Sequence, residues 1–126
     1  MKKTIQSKNA PAPIGPYSQA VQTGNMVFVS GQIALDAETG EMVDENISKE
    51  TQKVMENIKA VLQEAGAGMN NIVKSSIFLS DMNNFNHVNA VYSNYFEENP
   101  PARETVEVSR LPKDVSVEIS VIAVLD

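Results

Sequence analysis

Pro100-Pro101-Ala102-Arg103-Glu104-Thr105-Val106-Glu107-Val108-Ser109-Arg110-Leu111-Pro112-Lys113-Asp114, running on from Val115 to Leu125, is the stretch on which the fold turns. A proline fixes its own backbone and biases the residue before it away from helix, so the chain enters Ala102 extended. From Ala102 to Ser109 the residues alternate, with Arg103, Thr105 and Glu107 on one face and Val106 and Val108 on the other. Leu111 to Asp114 supplies turn chemistry. Val115, Val117, Ile119, Val121 and Ala123 then share one face, and Ser116, Glu118 and Ser120 the other. The stretch predicts two strands joined by a short turn, with Arg103 at the entrance and Glu118 facing back from the second strand. A fixed cation and a carboxylate on neighbouring strands fit two readings: a small-anion site with a proton acceptor, or an ordinary cross-strand ion pair.

Upstream, Asp81 to Asn84 offers several N-cap side chains for a helix in which Phe85, Val88, Tyr92, Tyr95 and Phe96 recur at helical spacing. Glu97 to Pro101 ends it. Ile72 to Leu79 is a strand. Before it, Asn46 caps a helix whose apolar stripe is Ile47, Val54, Met55, Ile58, Val61, Leu62 and Ala65, stopped by Gly66. Met26 to Ile33 is a strand whose central apolar run suggests burial on both faces, preceded by a tight turn at Gly24-Asn25. Short strands are expected around Thr4–Gln6 and Ser18–Gln22, separated by a proline-stiffened loop that delivers Tyr17. Two helices of this length cannot cover both faces of a four- to six-stranded sheet, so they belong on one face of an α+β sandwich. The uncovered face is apolar enough to predict homo-oligomerisation through the sheets.

The 126 residues make one domain, 1–126, with an ordinary apolar fraction of 42%. Ten basic against 16 acidic residues leave a net charge of −6 with no basic stripe, which argues against nucleic acid as a partner. Cysteine is absent, which excludes disulfides, thiolate metal sites and cysteine nucleophiles. The sole histidine, His87, falls on the exposed side of the second helix pattern without partners, so no metal site is expected. No apolar run follows Met1-Lys2-Lys3, so neither a signal peptide nor a membrane span is expected and the expected location is cytoplasmic.

Four motifs in order, Ile14-Gly15-Pro16-Tyr17-Ser18-Gln19-Ala20, Val29-Ser30-Gly31-Gln32-Ile33, Val88-Asn89-Ala90-Val91-Tyr92 and Pro101-Ala102-Arg103 with Leu111-Pro112-Lys113-Asp114 and Val117-Glu118-Ile119, resemble the RidA (YjgF-type) family. The resemblance covers nearly the whole chain. It implies a chorismate-mutase-like fold, a relative of the ferredoxin-like sandwiches, with a mixed sheet and two helices on one face. It also implies a homotrimer with a central β-barrel and sites in the clefts between subunits. The implied activity is cofactor-free hydrolysis of 2-imino acids, enamine/imine tautomers released by pyridoxal-phosphate enzymes, to 2-keto acids and ammonia.

In that reading Arg103 holds the substrate carboxylate, since its planar guanidinium accepts a carboxylate bidentately. Glu118 orients or deprotonates the attacking water. Tyr17 closes the pocket, Ser30 and Gly31 line its floor, and Asn89 matches the family's pocket asparagine. Thr105 and Glu104 complete the expected substrate-binding set, at positions where relatives often carry a cysteine and a small residue. Strand alternation sends Glu104 to the face opposite Arg103, and its charge is expected to weaken the pull on an acidic substrate. The Glu97–Pro101 loop is shorter than in many relatives. Two other functions are weighed: a non-catalytic carboxylate- or keto-acid-binding regulatory trimer, and an endoribonuclease or translation inhibitor, which the acidic balance disfavours.

Overall fold

The computed structural model describes all 126 residues. In chain order the elements are β1 (Lys2–Ile5), β2 (Ala20–Thr23), β3 (Met26–Gln32), α1 (Ile47–Glu64), β4 (Ile72–Leu79), α2 (Phe85–Ser93), β5 (Ala102–Glu107) and β6 (Val117–Val124). They form one six-stranded sheet in the order β1-β2-β3-β6-β4-β5. Every neighbouring pair is antiparallel except β4 with β5, which run parallel. A parallel pair needs a crossover, and α2 with its flanking turns supplies it. Both helices pack on the same face, as a mixed sheet with only two helices requires.

The expected hairpin does not form. β6 crosses back and pairs with β3 on one side and β4 on the other, so β4 lies between β5 and β6. The reason is burial. Val117, Ile119, Val121 and Ala123 are all nearly inaccessible, and only a central position buries that whole face under the helices. β5 is instead an edge strand, mostly exposed.

The core follows the apolar stripe of α1. Asn46 Oδ1 accepts the Lys49 N–H at 2.8 Å, so the helix starts where its cap predicts. Gly66, at φ 81°, turns the chain away just past its end. Between these points Val54, Met55, Ile58, Val61 and Leu62 are completely buried against Val27, Ile77, Leu79, Val117 and Ile119. α2 ends at Ser93, a turn earlier than its aromatic pattern suggests, yet Tyr95 and Phe96 still pack on the core from the following turn.

The other sheet face is uncovered. Pairing puts Phe28 opposite Ile122 and Val106 opposite Phe78 there, and Phe28 (39%), Val106 (40%) and Met26 (37%) remain exposed. Burial of β3 on both faces is thus not found within one chain: Val27 and Val29 are buried, whereas Met26 and Phe28 are not. At one end of this face the segment after β5 folds over, packing Ile33, Leu111 and Val115 into a small second cluster with Phe78 and Val108.

Ile58→Ala removes a side chain buried on all sides and leaves a cavity. Urea unfolding of that variant is expected to show a loss of about 2–5 kcal/mol.

Candidate active site

The expected site residues fall into two groups on opposite faces of the sheet. Arg103 pairs in register with Ser75, whose side chain is buried under the helices, so the guanidinium lies on the helix side. Glu118 pairs with Phe78 and points to the uncovered face. Neither contacts the other, and the four ion pairs of the chain are Lys49–Glu45, Lys53–Asp36, Lys74–Glu104 and Arg110–Asp114. A cross-strand ion pair between Arg103 and Glu118 is therefore ruled out within the chain.

Around Arg103 the geometry is that of a held cation. Its Nη1 donates to Asn89 Oδ1 at 2.7 Å, and its Cζ stands 5.2 Å from the Tyr92 ring centroid and 5.6 Å from that of Phe85. Stacking and one side-chain hydrogen bond orient the guanidinium without neutralising it. Tyr92 is itself fixed, donating its hydroxyl to Ser75 Oγ at 2.9 Å in the interior. Burial pushes the Tyr92 hydroxyl up in pKa, while the Ser75 bond and Arg103 pull the other way. These residues, with Ser93, Phe96, Glu97, Pro100 and Pro101, border a cavity of about 400 Å³. Thr105, two residues along the same face, has a buried hydroxyl without a hydrogen-bond partner.

The second group borders a cavity of about 360 Å³ lined by Ile14, Tyr17, Ser30, Gly31, Ile33, Pro112 and Glu118. Ser30 and Gly31 form a bulge in β3, two residues facing one between the Val29–Val121 and Gln32–Ile119 pairs. The bulge brings the backbone against Glu118: a Cβ on Gly31 would stand 2.5 Å from Glu118 Oε2. Glycine is needed for that close approach, its backbone φ being unexceptional. Burial with no compensating charge raises the Glu118 carboxyl pKa above 4.5. Ser30 Oγ donates to Ser18 O at 2.6 Å, so its hydroxyl ties the Tyr17 loop to β3.

Glu104 lies apart from both cavities. As alternation predicts, it faces away from Arg103, accepting from Ser76 Oγ and pairing with Lys74 at 3.0 Å. The Ser76 bond first, then Lys74, holds its carboxyl below the usual range. Nothing in the chain couples it to the Arg103 charge.

Sequence reading undervalued two kinds of residue. Phe85 and Tyr92, assigned to the core by their spacing, also form the stacking bed of Arg103. Gln19 is buried and latches the proline loop: its Oε1 accepts the Ser7 N–H at 2.6 Å and its Nε2 donates to the carbonyls of Ser7, Ala10 and Pro11. A glutamine two residues after the loop's tyrosine carries no periodic signal, so only the fold reveals its partners. No three histidine or acidic side chains cluster as a metal site would require.

Residues 7–125 match the family model described as endoribonuclease L-PSP. The chain belongs to that family, the same RidA/YjgF group that its motifs resemble. The similarity spans whole chains. A RutC family protein of Pyrococcus abyssi is 56% identical over 97% of this chain and 96% of its own length. The 2-iminobutanoate/2-iminopropanoate deaminase of Salmonella typhimurium is 50% identical over 98% of each. The crystal structure of Escherichia coli TdcF with bound serine superposes with a TM-score of 0.94 at 42% identity, covering 98% of this chain and 99% of that one. As a member of the L-PSP family the chain shares their two-helix, mixed-sheet fold.

Gly31→Ala forces the Glu118 carboxyl out of its place against β3. Its titration, followed by carbon-13 NMR, is expected to fall from the raised value toward 4.5, with the melting temperature little changed. An unmoved midpoint would mean that β3 and not Glu118 gives way.

Proposed function

We propose that the chain hydrolyses 2-imino acids to 2-keto acids and ammonia, in sites assembled between the subunits of a homotrimer. The observation that carries this reading is Arg103: oriented by Asn89, stacked on two rings, in no ion pair, and facing a cavity whose one acidic lining residue is Glu97. A held but uncompensated guanidinium suits a ligand carboxylate. The name borne by the Salmonella typhimurium relative supports the substrate class. The bound serine of E. coli TdcF supports a small amino-acid-like ligand.

Arg103 and Glu118 lie on opposite faces of one sheet, so a cleft using both takes them from two subunits. The exposed apolar residues Met26, Phe28 and Val106 favour packing of the open sheet faces around a common axis. In the proposed cleft Arg103 of one subunit binds the substrate carboxylate. Tyr17, Ser30, Gly31 and Glu118 of the next close the other side. Thr105 stands two residues along the same face as the arginine, and Asn89 acts by holding the arginine in place. Glu104 is left outside, paired to Lys74 on the open face.

The chemistry needs little more than position. The iminium carbon is already electrophilic, and fixing the carboxylate sets it against Glu118. Ionised Glu118 takes a proton from water as its oxygen adds to that carbon, giving a carbinolamine. The same carboxyl then gives the proton to the departing nitrogen and, as ammonia leaves, takes the hydroxyl proton, so that the C=O of the keto acid forms. A desolvated carboxylate is a stronger base than one in water, which suits the first step.

The test is keto-acid release from a threonine or serine dehydratase with and without the protein. Wild type is expected to accelerate release. Arg103→Ala is expected to lose at least about 100-fold in that effect, because orientation is lost. Saturable keto-acid binding without acceleration would favour the regulatory, non-catalytic reading that a bound serine alone also permits. The family description mentions endoribonuclease, but a chain of net charge −6 is poorly suited to a polyanion.

A second outcome concerns assembly. If Arg103 faces Glu118 across an interface, its charge favours the ionised carboxylate, so Arg103→Ala raises the Glu118 titration midpoint. An unchanged midpoint would separate the two residues.

A further inference from the structure

Glu50 is a carboxylate where a carboxylate is costly. It lies in the first turn of α1 with 3% of its surface exposed, and no cation pairs with it. The charge acting on it, Asp44, is of the same sign, and burial raises its pKa more than its hydrogen bonds lower it. An uncompensated buried acid is retained where its oxygens have work that an apolar side chain cannot do.

That work is visible at the entrance to β6. Glu50 Oε2 accepts the Ser116 N–H at 2.8 Å and the Val117 N–H at 3.2 Å. The carbonyl of Ser116 is held from the other side by the Ser80 N–H at 3.1 Å. Ser116 and Val117 directly precede Glu118. The chain reaches them through Pro112–Asp114, where Lys113 and Asp114 both adopt left-handed backbone, at φ 56° and 55°. A lysine takes that conformation rarely, whereas an aspartate accepts it more readily. The same turn contributes Pro112 to the cavity that holds Glu118.

We propose that Glu50 is a positioning residue for Glu118: its carboxylate, reaching from α1, clamps two successive backbone amides and so fixes where β6 begins. The tolerance is small, because Gly31 leaves no room even for a methyl beside Glu118. A displacement of β6 at Ser116 therefore carries directly to the carboxyl that the proposed hydrolysis uses, and this part of the inference rests on that reading.

The experiment compares Glu50→Gln, which keeps an acceptor oxygen at the same reach, with Glu50→Asp, which keeps the charge but loses reach, and with Glu50→Leu, which has neither. Two quantities are read: steady-state imine hydrolysis in the dehydratase-coupled assay, and the Glu118 titration by carbon-13 NMR. Glu50→Asp and Glu50→Leu are expected to lower kcat by about 10- to 100-fold with KM within about twofold, since Arg103 still binds the carboxylate. Both should move the Glu118 midpoint toward the ordinary value as water reaches it, and Glu50→Gln should stay close to wild type in both. Added to Glu118→Gln, Glu50→Leu should lower kcat no further, which a merely stabilising role would not produce. Folded Glu50→Asp with wild-type kcat and wild-type Glu118 titration overturns the inference, as does loss in Glu50→Gln with retention in Glu50→Asp. If Glu50→Leu does not fold, the Gln and Asp pair decides. If wild type itself turns over no imine, the hydrolytic reading fails, and the Glu118 titration alone still decides the role of Glu50.

Discussion

The parallel register of β4 and β5, with Ser75 opposite Arg103, is the constraint on which the candidate site depends. Side chains in register on adjacent strands point to the same face, so a buried Ser75 commits Arg103 to the helix side. There Tyr92 and Phe85 receive the guanidinium, and Tyr92 is anchored in turn to Ser75 itself. By the same parity Glu118, opposite Phe78, must face away. The chain thus carries an oriented cation and a desolvated carboxyl on different surfaces. The proposed cleft therefore draws them from two copies, and the apolar open face supplies a physical reason for copies to associate.

Irregular segments around Glu118 are fixed by buried polar side chains as well as by the small Ile33, Leu111 and Val115 cluster. Gln19 ties the proline loop that presents Tyr17. Asn57, inaccessible within α1, donates to the carbonyls of Ile33 and Leu35 and so holds the end of β3. Glu50 holds the start of β6. Each satisfies backbone groups that a turn or strand end would otherwise leave unpaired in the interior. Two of the three come from the face of α1 whose apolar residues build the core, so one helix both buries the sheet and registers the loops beside the carboxyl.

Local signals in the sequence located the elements well. Asn46 and Gly66 bracket α1, and Ile72 to Leu79 matches β4 residue for residue. The one-sided placement of the helices follows from how little sheet two helices can cover. The hairpin expectation failed because alternation and a turn encode two strands but not what lies between them. β6 found a more buried position beside β3 and β4, and pairing of that kind is decided by total burial across distant segments. Arg103, Glu118, Tyr17, Ser30, Gly31 and Asn89 all border one or other cavity, and Glu104 and Thr105 do not. The polar residues that position them were illegible for a physical reason: Gln19, Glu50 and Asn57 act on backbone groups, whose locations only the folded chain defines.

The central claim is that one working site takes Arg103 from one subunit and Glu118 from another. Co-assembly of Arg103→Ala chains with Glu118→Gln chains, each strongly impaired alone, tests it most directly. With random mixing in equal amounts, about one quarter of sites should regain both residues, because a heterologous interface draws them from two independently chosen subunits. Imine hydrolysis restored to about that fraction of wild type across the whole mixture is the predicted result. Mixed oligomers no more active than their parents would contradict it.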